Sequence, residues 1–427
     1  MNLVKTFGLV VLILGAASAH NNDKRQNNAA ASNSMKPTDW LSVSELQELP
    51  SADTITLQQW ESMPLEEAER MIEKIYHLSK LDHTLQPSFV PSASNMPVIL
   101  MKPNGERIET KLSQWVEKAK QLPEFGTDEV TIFITGLPQS SSAVAKANKR
   151  LVQAYMERYY GQQKPINNFQ DSGEKWPATS SEEDYSESWK QPRLNRGNFM
   201  IINLGAMLPN MRRYALLDVE QTGEMIGKTL VQLTNQADVP HEIIHLIGQG
   251  IGAQVAGAAA RQYKRQTGHQ LRRITALDPA KMFACGKNIL SGLARGDADF
   301  VDAIHTNTRG IGTRERVGDV DFFVNGPASK APGADNIVEA SMRATRYFAE
   351  SVRPGNERNF PAVPASSMHQ YENKEGNGKR TYMGIAADYD LKGDYMLNVN
   401  AKSPFGKSAP ALKQGTYHGM HESWKHN

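Results

Sequence analysis

Cysteine is nearly absent: the 427-residue chain holds one, Cys285. A single thiol excludes an internal disulfide framework, a multi-cysteine zinc site and a cysteine-ligated iron–sulfur cluster. An excess of charge is also absent, with 48 basic against 46 acidic side chains and a formal net charge of +2. No global field draws the chain to nucleic acid, and the balance is too mild to argue for a membrane surface. No uncharged apolar run reaches the about 20 residues of a spanning helix, so stable membrane insertion is not expected. What is present is globular composition, 39% hydrophobic, 22% charged and 7% aromatic. That is apolar enough for a sizeable core and too apolar for full-length disorder. The length allows two or three average domains, or one large α/β domain with appendages.

The N-terminus bears on compartment. Lys5 precedes an apolar run from Phe7 to Leu14, and Ala17-Ser18-Ala19 supplies the small residues of a cleavage site. Residues 1–19 therefore read as a signal peptide, the mature chain beginning near His20 and secreted. A membrane anchor is the lesser reading, because the run is short. Secretion without disulfides is unusual and calls for a fold stable on burial alone. Cys285 is expected to be buried or unpaired, with an intermolecular disulfide as the minority reading. The sequence contains no N-x-Ser/Thr sequon.

Residues 20–95 form an N-terminal extension: a polar stretch from His20 to Pro37, then short helices between Trp40 and Leu81 packed onto something larger. From Pro97 the pattern is α/β. Strands are expected at Val98–Met101, Val130–Ile134, Phe199–Asn203, Glu242–Ile247 and Arg273–Leu277. Their nearly continuous apolar character is that of strands buried on both faces. Helices are expected at Ala143–Tyr160, Thr222–Asn235 and Gly252–Thr267. The alternation predicts an α/β fold, a mostly parallel central sheet with helices on both faces. Residues 162–197 are too polar to bury and read as an exposed acidic insertion. Tyr395, Leu397 and Val399 alternate as in an edge strand, and residues 406–427 read as a tail.

Glu242–Ile247 runs into Gly248-Gln249-Gly250-Ile251-Gly252 and a helix opening Ala253-Gln254-Val255-Ala256-Gly257. Glycines at the first and fifth positions suit a nucleophile elbow, a sharp strand-to-helix turn that presents its middle residue as the attacking group. The middle residue here is Gly250, which has no side chain. A nucleophile at such a turn sits at backbone angles costing about 1–3 kcal/mol, and glycine adopts them without steric penalty.

Ile244 to Gly257 resembles the active-site stretch of animal lipases related to pancreatic and lipoprotein lipase. Ile274-Thr275-Ala276-Leu277-Asp278-Pro279-Ala280 is similar to that family's segment carrying the triad acid. Phe300 to Thr306 and Val320 to Gly326 also match. The likeness runs from about Met96 to Pro404, and residues 96–405 are expected to form a lipase-like α/β-hydrolase domain. Carried over residue by residue, the acid maps onto Asp278. The histidine position, in Glu339-Ala340-Ser341-Met342-Arg343, holds Ser341, whose hydroxyl is no general base near neutral pH. The oxyanion segment maps onto Phe133 to Leu137, with Thr135 where the family carries histidine and Leu137 at the oxyanion position. With Gly250 and Ser341 in place of nucleophile and base, the acyl-enzyme mechanism is not expected to run. Asp278 is expected to persist as a hydrogen-bonding residue, and the site positions Gly250, Asp278, Ser341 and Leu137 as vestiges. His245 and His305 fall at ordinary family positions and read as structural, while His241 is remote in sequence. His418, His421 and His426 lie in the polar tail without a scaffold, so neither a metal nor another cofactor is expected. The turn also lacks the Lys and Ser/Thr of a phosphate-binding loop.

A secreted lipase fold lacking nucleophile and base, with an acidic Ser/Tyr insertion, resembles the yolk proteins of higher flies, the lipase-related vitellogenins. The resemblance implies nutrient storage, secretion into haemolymph, and uptake into oocyte yolk through a lipoprotein-receptor-type endocytic receptor. It also implies oligomers with itself or related yolk proteins, and a lipid or steroid conjugate as a conceivable cleft ligand. Arg212, Arg213, Arg272 and Arg273 are candidates for receptor binding or plain solvated surface. Tyr185, flanked by Glu182, Glu183, Asp184 and Glu187, suits tyrosine sulfation, and Ser180 and Ser181 suit acid-directed kinases; a bare solvated charge run is the plainer reading. Two rival classes stay open: an active lipase or phospholipase, and a lipid or steroid carrier.

Overall fold

The computed structural model describes residues 56–82, 86–122, 125–161, 196–284, 292–328, 330–373 and 380–407. The leader, Cys285, the Tyr185, Ser180 and Ser181 sites, and His418, His421 and His426 lie outside the described residues.

In chain order the helices are α1 (Leu57–Ser62), α2 (Leu65–Asp82), α3 (Trp115–Ala119), α4 (Ser142–Tyr160), α5 (Met211–Ala215), α6 (Val219–Gln236), α7 (Ile251–Thr267), α8 (Ile337–Val352) and α9 (Met368–Asn373). The strands are β1 (Pro97–Met101), β2 (Arg107–Lys111), β3 (Glu129–Ile134), β4 (Gly197–Ile202), β5 (Ile244–Gln249), β6 (Arg273–Leu277), β7 (Phe300–His305), β8 (Val320–Val324), β9 (Pro361–Pro364), β10 (Thr381–Tyr382) and β11 (Gly393–Leu397). Among the described residues they form one sheet of order β10-β9-β11-β8-β7-β6-β5-β3-β4-β1-β2. From β4 to β11 every neighbouring pair is parallel; β1 and β2 at one margin and β9 and β10 at the other run antiparallel.

The parallel strands alternate side chains between two apolar layers. Ile132, Leu246, Ile274 and Val301 face one layer with α6 and α7. Phe133, Ile247, Leu277 and Ile304 face the other with α4 and α8. Helix starts are fixed by side chains that satisfy otherwise unpaired N–H groups. Asp218 accepts from Gln221 N at 2.9 Å, and Asn336 accepts from Glu339 N at 2.9 Å. The expected mostly parallel sheet with helices on both faces is the fold observed.

Three expectations need correction. The elbow strand is Ile244–Gln249, two residues later than expected, because His241–Ile243 forms a 3-10 turn. β11 is no edge: β9 and β10 lie outside it. Met396, between the alternating residues, is itself buried against Phe323, Ala365 and Tyr371. In the extension, α2 is an 18-residue helix rather than a short one.

β4 follows β3 on one side, whereas β5 adds on the other. The sheet thus has a topological switch point at β3/β5, the place where an open α/β sheet presents its crevice.

Candidate functional site

Gly250 stands between β5 and α7 at φ 57° and ψ −120°, a conformation that L side chains adopt only under strain. The neighbouring glycines are needed for close approach: a Cβ on Gly248 would lie 2.3 Å from Ala253 Cα, and one on Gly252 2.5 Å from the Ile134 carbonyl oxygen. The turn is tied to the next strand, with Gly250 N donating to the Leu277 carbonyl at 2.9 Å and Ala280 N donating to the Gly250 carbonyl at 3.2 Å. The space beside Gly250 is open by comparison: a Cβ there would meet first the Tyr214 hydroxyl, at 3.9 Å.

Asp278 follows β6 directly, 1% exposed and at a positive φ of 49°. Its Oδ1 accepts from Thr306 N at 3.1 Å and Asn307 N at 2.9 Å, and its Oδ2 accepts from the Ser341 hydroxyl at 2.6 Å. Burial raises the Asp278 pKa above its ordinary value, and the Ser341 and backbone hydrogen bonds counter part of that rise. Ser341, on α8, is 2% exposed. A hydroxyl that donates to a carboxylate accepts no proton at neutral pH, so this pair performs no general-base step. Thr135, after β3, donates to Asn203 Oδ1 and accepts from Gly205 N, both at 3.0 Å. Leu137 lies next to it, buried beside Tyr214 and Met211.

The histidines picked out in the sequence sit elsewhere. His245 Nε2 lies 2.8 Å from Thr275 Oγ1, and burial pushes the ring's pKa down to about 4. His305 Nδ1 donates to the Thr313 carbonyl at 3.1 Å, and its Nε2 lies 2.8 Å from Asp321 Oδ1. His241 stacks beside His269, ring centroids 4.6 Å apart, away from Asp278. Among the described residues no group of His, Cys, Asp and Glu is arranged to hold a metal ion. No described helix is long and apolar enough to cross a membrane. The basic quartet does not form one receptor-facing group: Arg273 is 2% exposed and bound to Asp302, and Arg272 pairs with Glu129 at 3.0 Å.

Sequence reasoning missed three elements of the site. Tyr214 is buried with its hydroxyl toward Gly250. Lys281, 6% exposed, donates from Nζ to the Thr308, Gly310 and Gly312 carbonyls at 2.7, 2.5 and 2.8 Å. Burial lowers the Lys281 pKa to about 8. The third is α1, whose Leu57 and Trp60 meet Leu137 and Tyr214. The spacing of Leu57 and Trp60, one helical turn apart, was a usable signal for it.

The Lipase family model matches residues 104–405. Vitellogenin-1 of Ceratitis capitata is 69% identical over 100% of this chain and 98% of its own, and Vitellogenin-3 of Drosophila melanogaster is 56% identical over 92% and 94%. Phospholipase A1 2 of Dolichovespula maculata is 31% identical over 45% of this chain and 63% of its own. The chain belongs to the lipase family and fits its yolk-protein branch, the vitellogenins of higher flies.

Proposed function

We propose that the chain is a secreted yolk storage protein that supplies the embryo with nutrients and whose lipase-like site hydrolyses nothing. Identity to vitellogenins over the whole chain supports the storage role. The observation that carries the inert site is Gly250, an elbow residue with no atom to attack an acyl carbon. Ser341 supports it as the hydroxyl partner of Asp278 where the mechanism needs imidazole. In this reading Gly250, Asp278, Ser341 and Leu137 are vestigial catalytic and oxyanion positions, and residues 96–405 are the lipase-like domain. Residues 1–19 direct secretion and are removed. Oocytes take the protein up through an endocytic receptor of the lipoprotein-receptor type, and it assembles with itself or with related yolk proteins. Tyr185 carries sulfate and Ser180 and Ser181 carry phosphate, adding fixed negative charge to residues 162–197.

Purified protein assayed on short-chain esters and phospholipids tests the inert site: the expected rate equals that of a denatured control, and robust turnover overturns it. Abundance in egg yolk tests storage, which absence from eggs removes. Mass spectrometry of secreted protein is expected to find sulfate on Tyr185; wholly unmodified Tyr185 ends that part of the reading.

A further inference from the structure

The crevice at the β3/β5 switch point is lined on one side by Leu137, Pro138, Met211 and Tyr214, and on the other by Leu57 and Trp60 of α1. About 20 Å³ of it remains free, room for roughly one water molecule, against about 300–1,000 Å³ for a pocket that holds a small organic ligand. Leu57 is 9% exposed and Trp60 3%. Trp60 Nε1 has no hydrogen-bond partner among the described residues, so the indole contributes apolar volume there rather than a polar anchor.

The segment is held from both ends. Thr56 bridges to Asn210, and Glu61 accepts from the Ser141 hydroxyl at the start of α4. On α2, Leu65, Ala68, Met71, Ile72 and Ile75 are buried in the main core. The carboxylates Glu66, Glu69 and Glu73 pair with Lys330, Arg309 and Arg314 of the body. Spacings of three and four residues place those carboxylates along one side of the helix. The Glu66 and Glu73 pairs are exposed and contribute little each, while Glu69 is buried; the apolar face is what holds the segment down.

We propose that α1 is a built-in occupant of the crevice: Leu57 and Trp60 fill the volume that an acyl chain or a fused-ring lipid would need. The folded protein is therefore closed to apolar ligands at this place. The inference goes beyond the storage reading, which holds whether or not the crevice carries a lipid.

The test uses the full-length secreted protein and cis-parinaric acid, a fluorescent fatty acid. Wild type is expected to show no saturable binding. The Leu57→Ala/Trp60→Ala variant is expected to gain one saturable site, one equivalent per chain, that wild type lacks. One equivalent bound by wild type, with no gain in the variant, overturns the proposal. If the double variant fails to fold, hydrogen exchange on wild type decides. The hydrogen-bonded amides of Trp60 and Met63 are expected to be protected, and exchange there at the rate of an unfolded peptide overturns the occupant. Ester hydrolysis is measured in neither experiment, so failure here leaves the proposed function standing.

Discussion

Two buried polar clusters sit at opposite ends of β5 and β6. Near the amino ends, Arg273 donates from Nε to Asp302 Oδ1 at 2.8 Å and from Nη2 to Oδ2 at 2.9 Å, and Thr275 donates to Asp302 Oδ1 at 2.8 Å. The Thr275 proton is thus committed, and His245 Nε2 must donate to Thr275 Oγ1. At the carboxyl ends, Asp278 is held by two backbone N–H groups and a serine hydroxyl, with no ion pair among the described residues. The first cluster balances a full charge with a full charge. In the second, the hydrogen bonds to the carboxylate come from neutral donors. Low exposure does not separate them, since Asp278 and Asp302 are 1% and 0% exposed. What differs is how much each loses when one member is removed.

The largest loss is expected from Arg273→Met. It leaves Asp302 buried without its partner, a change that costs about 3–5 kcal/mol where a buried pair is broken. Urea denaturation measures it. A loss no greater than that of Ser341→Ala would erase the contrast between the clusters.

His245 sharpens the contrast through pH. Its pKa is lowered from 6.5 to about 4 in the folded chain by burial, the nearby Glu129 notwithstanding. Between those values the unfolded chain binds a proton that the folded chain does not. The stability contribution is therefore full above pH 6.5 and lost as pH falls toward 4. At pH 5 the loss is about 2 kcal/mol. Asp297 works in the opposite sense, its pKa raised to about 6 by burial, so a bare pH profile mixes the two. The difference between wild type and His245→Gln isolates the histidine. It is expected to shrink between pH 7 and pH 5, and a flat difference would mean His245 titrates alike in the folded and unfolded chain.

Ser341→Ala comes next. Asp278 Oδ2 loses its hydroxyl donor while Oδ1 keeps Thr306 N and Asn307 N. A loss of about 1–2 kcal/mol is expected by chemical denaturation, in the lower range for a buried acceptor left unpaired. Because Asp278 then has fewer donors to its charged form, its pKa rises further and the loss grows with pH above the unfolded aspartate range. A variant as stable as wild type would show that the hydroxyl contributes nothing to holding Asp278.

Much of this was readable from residues alone. Val130–Ile134 is nearly continuously apolar because both faces are covered, and it lies in an observed strand; Arg273–Leu277 is also an observed strand, its polar Arg273 and Thr275 buried on Asp302. Gly250 was legible from the glycine spacing of the turn, whereas Asp278 and Ser341 were picked out only through the resemblance to animal lipases. β2, reading Arg-Ile-Glu-Thr-Lys, was not legible because one half-buried edge strand carries too few apolar residues to signal itself. Tyr214 and Lys281 were missed for a different reason. Their roles depend on which loops meet over the carboxyl end of the sheet, and local spacing does not encode that. The same holds for α1, whose helical period was visible while its seat against Leu137 was not.

The smallest expected effect is that of Gly250→Ser, and its size follows from what surrounds the turn. A serine side chain there meets open space as far as the Tyr214 hydroxyl, 3.9 Å from the new Cβ, so no packing is lost. The cost is the backbone angle alone, φ 57° and ψ −120°, about 1 kcal/mol at the low end for such strain. Hydrolysis is expected to stay at the level of a denatured control. The partner of Asp278 is the Ser341 hydroxyl, which donates to it and takes no proton from the new serine. The crevice that Tyr214 also lines is filled by Leu57 and Trp60. A burst of product in a single-turnover assay of the Gly250→Ser protein would show that the carboxyl-end cluster still moves protons, and would undo its separation from the structural cluster at the other end.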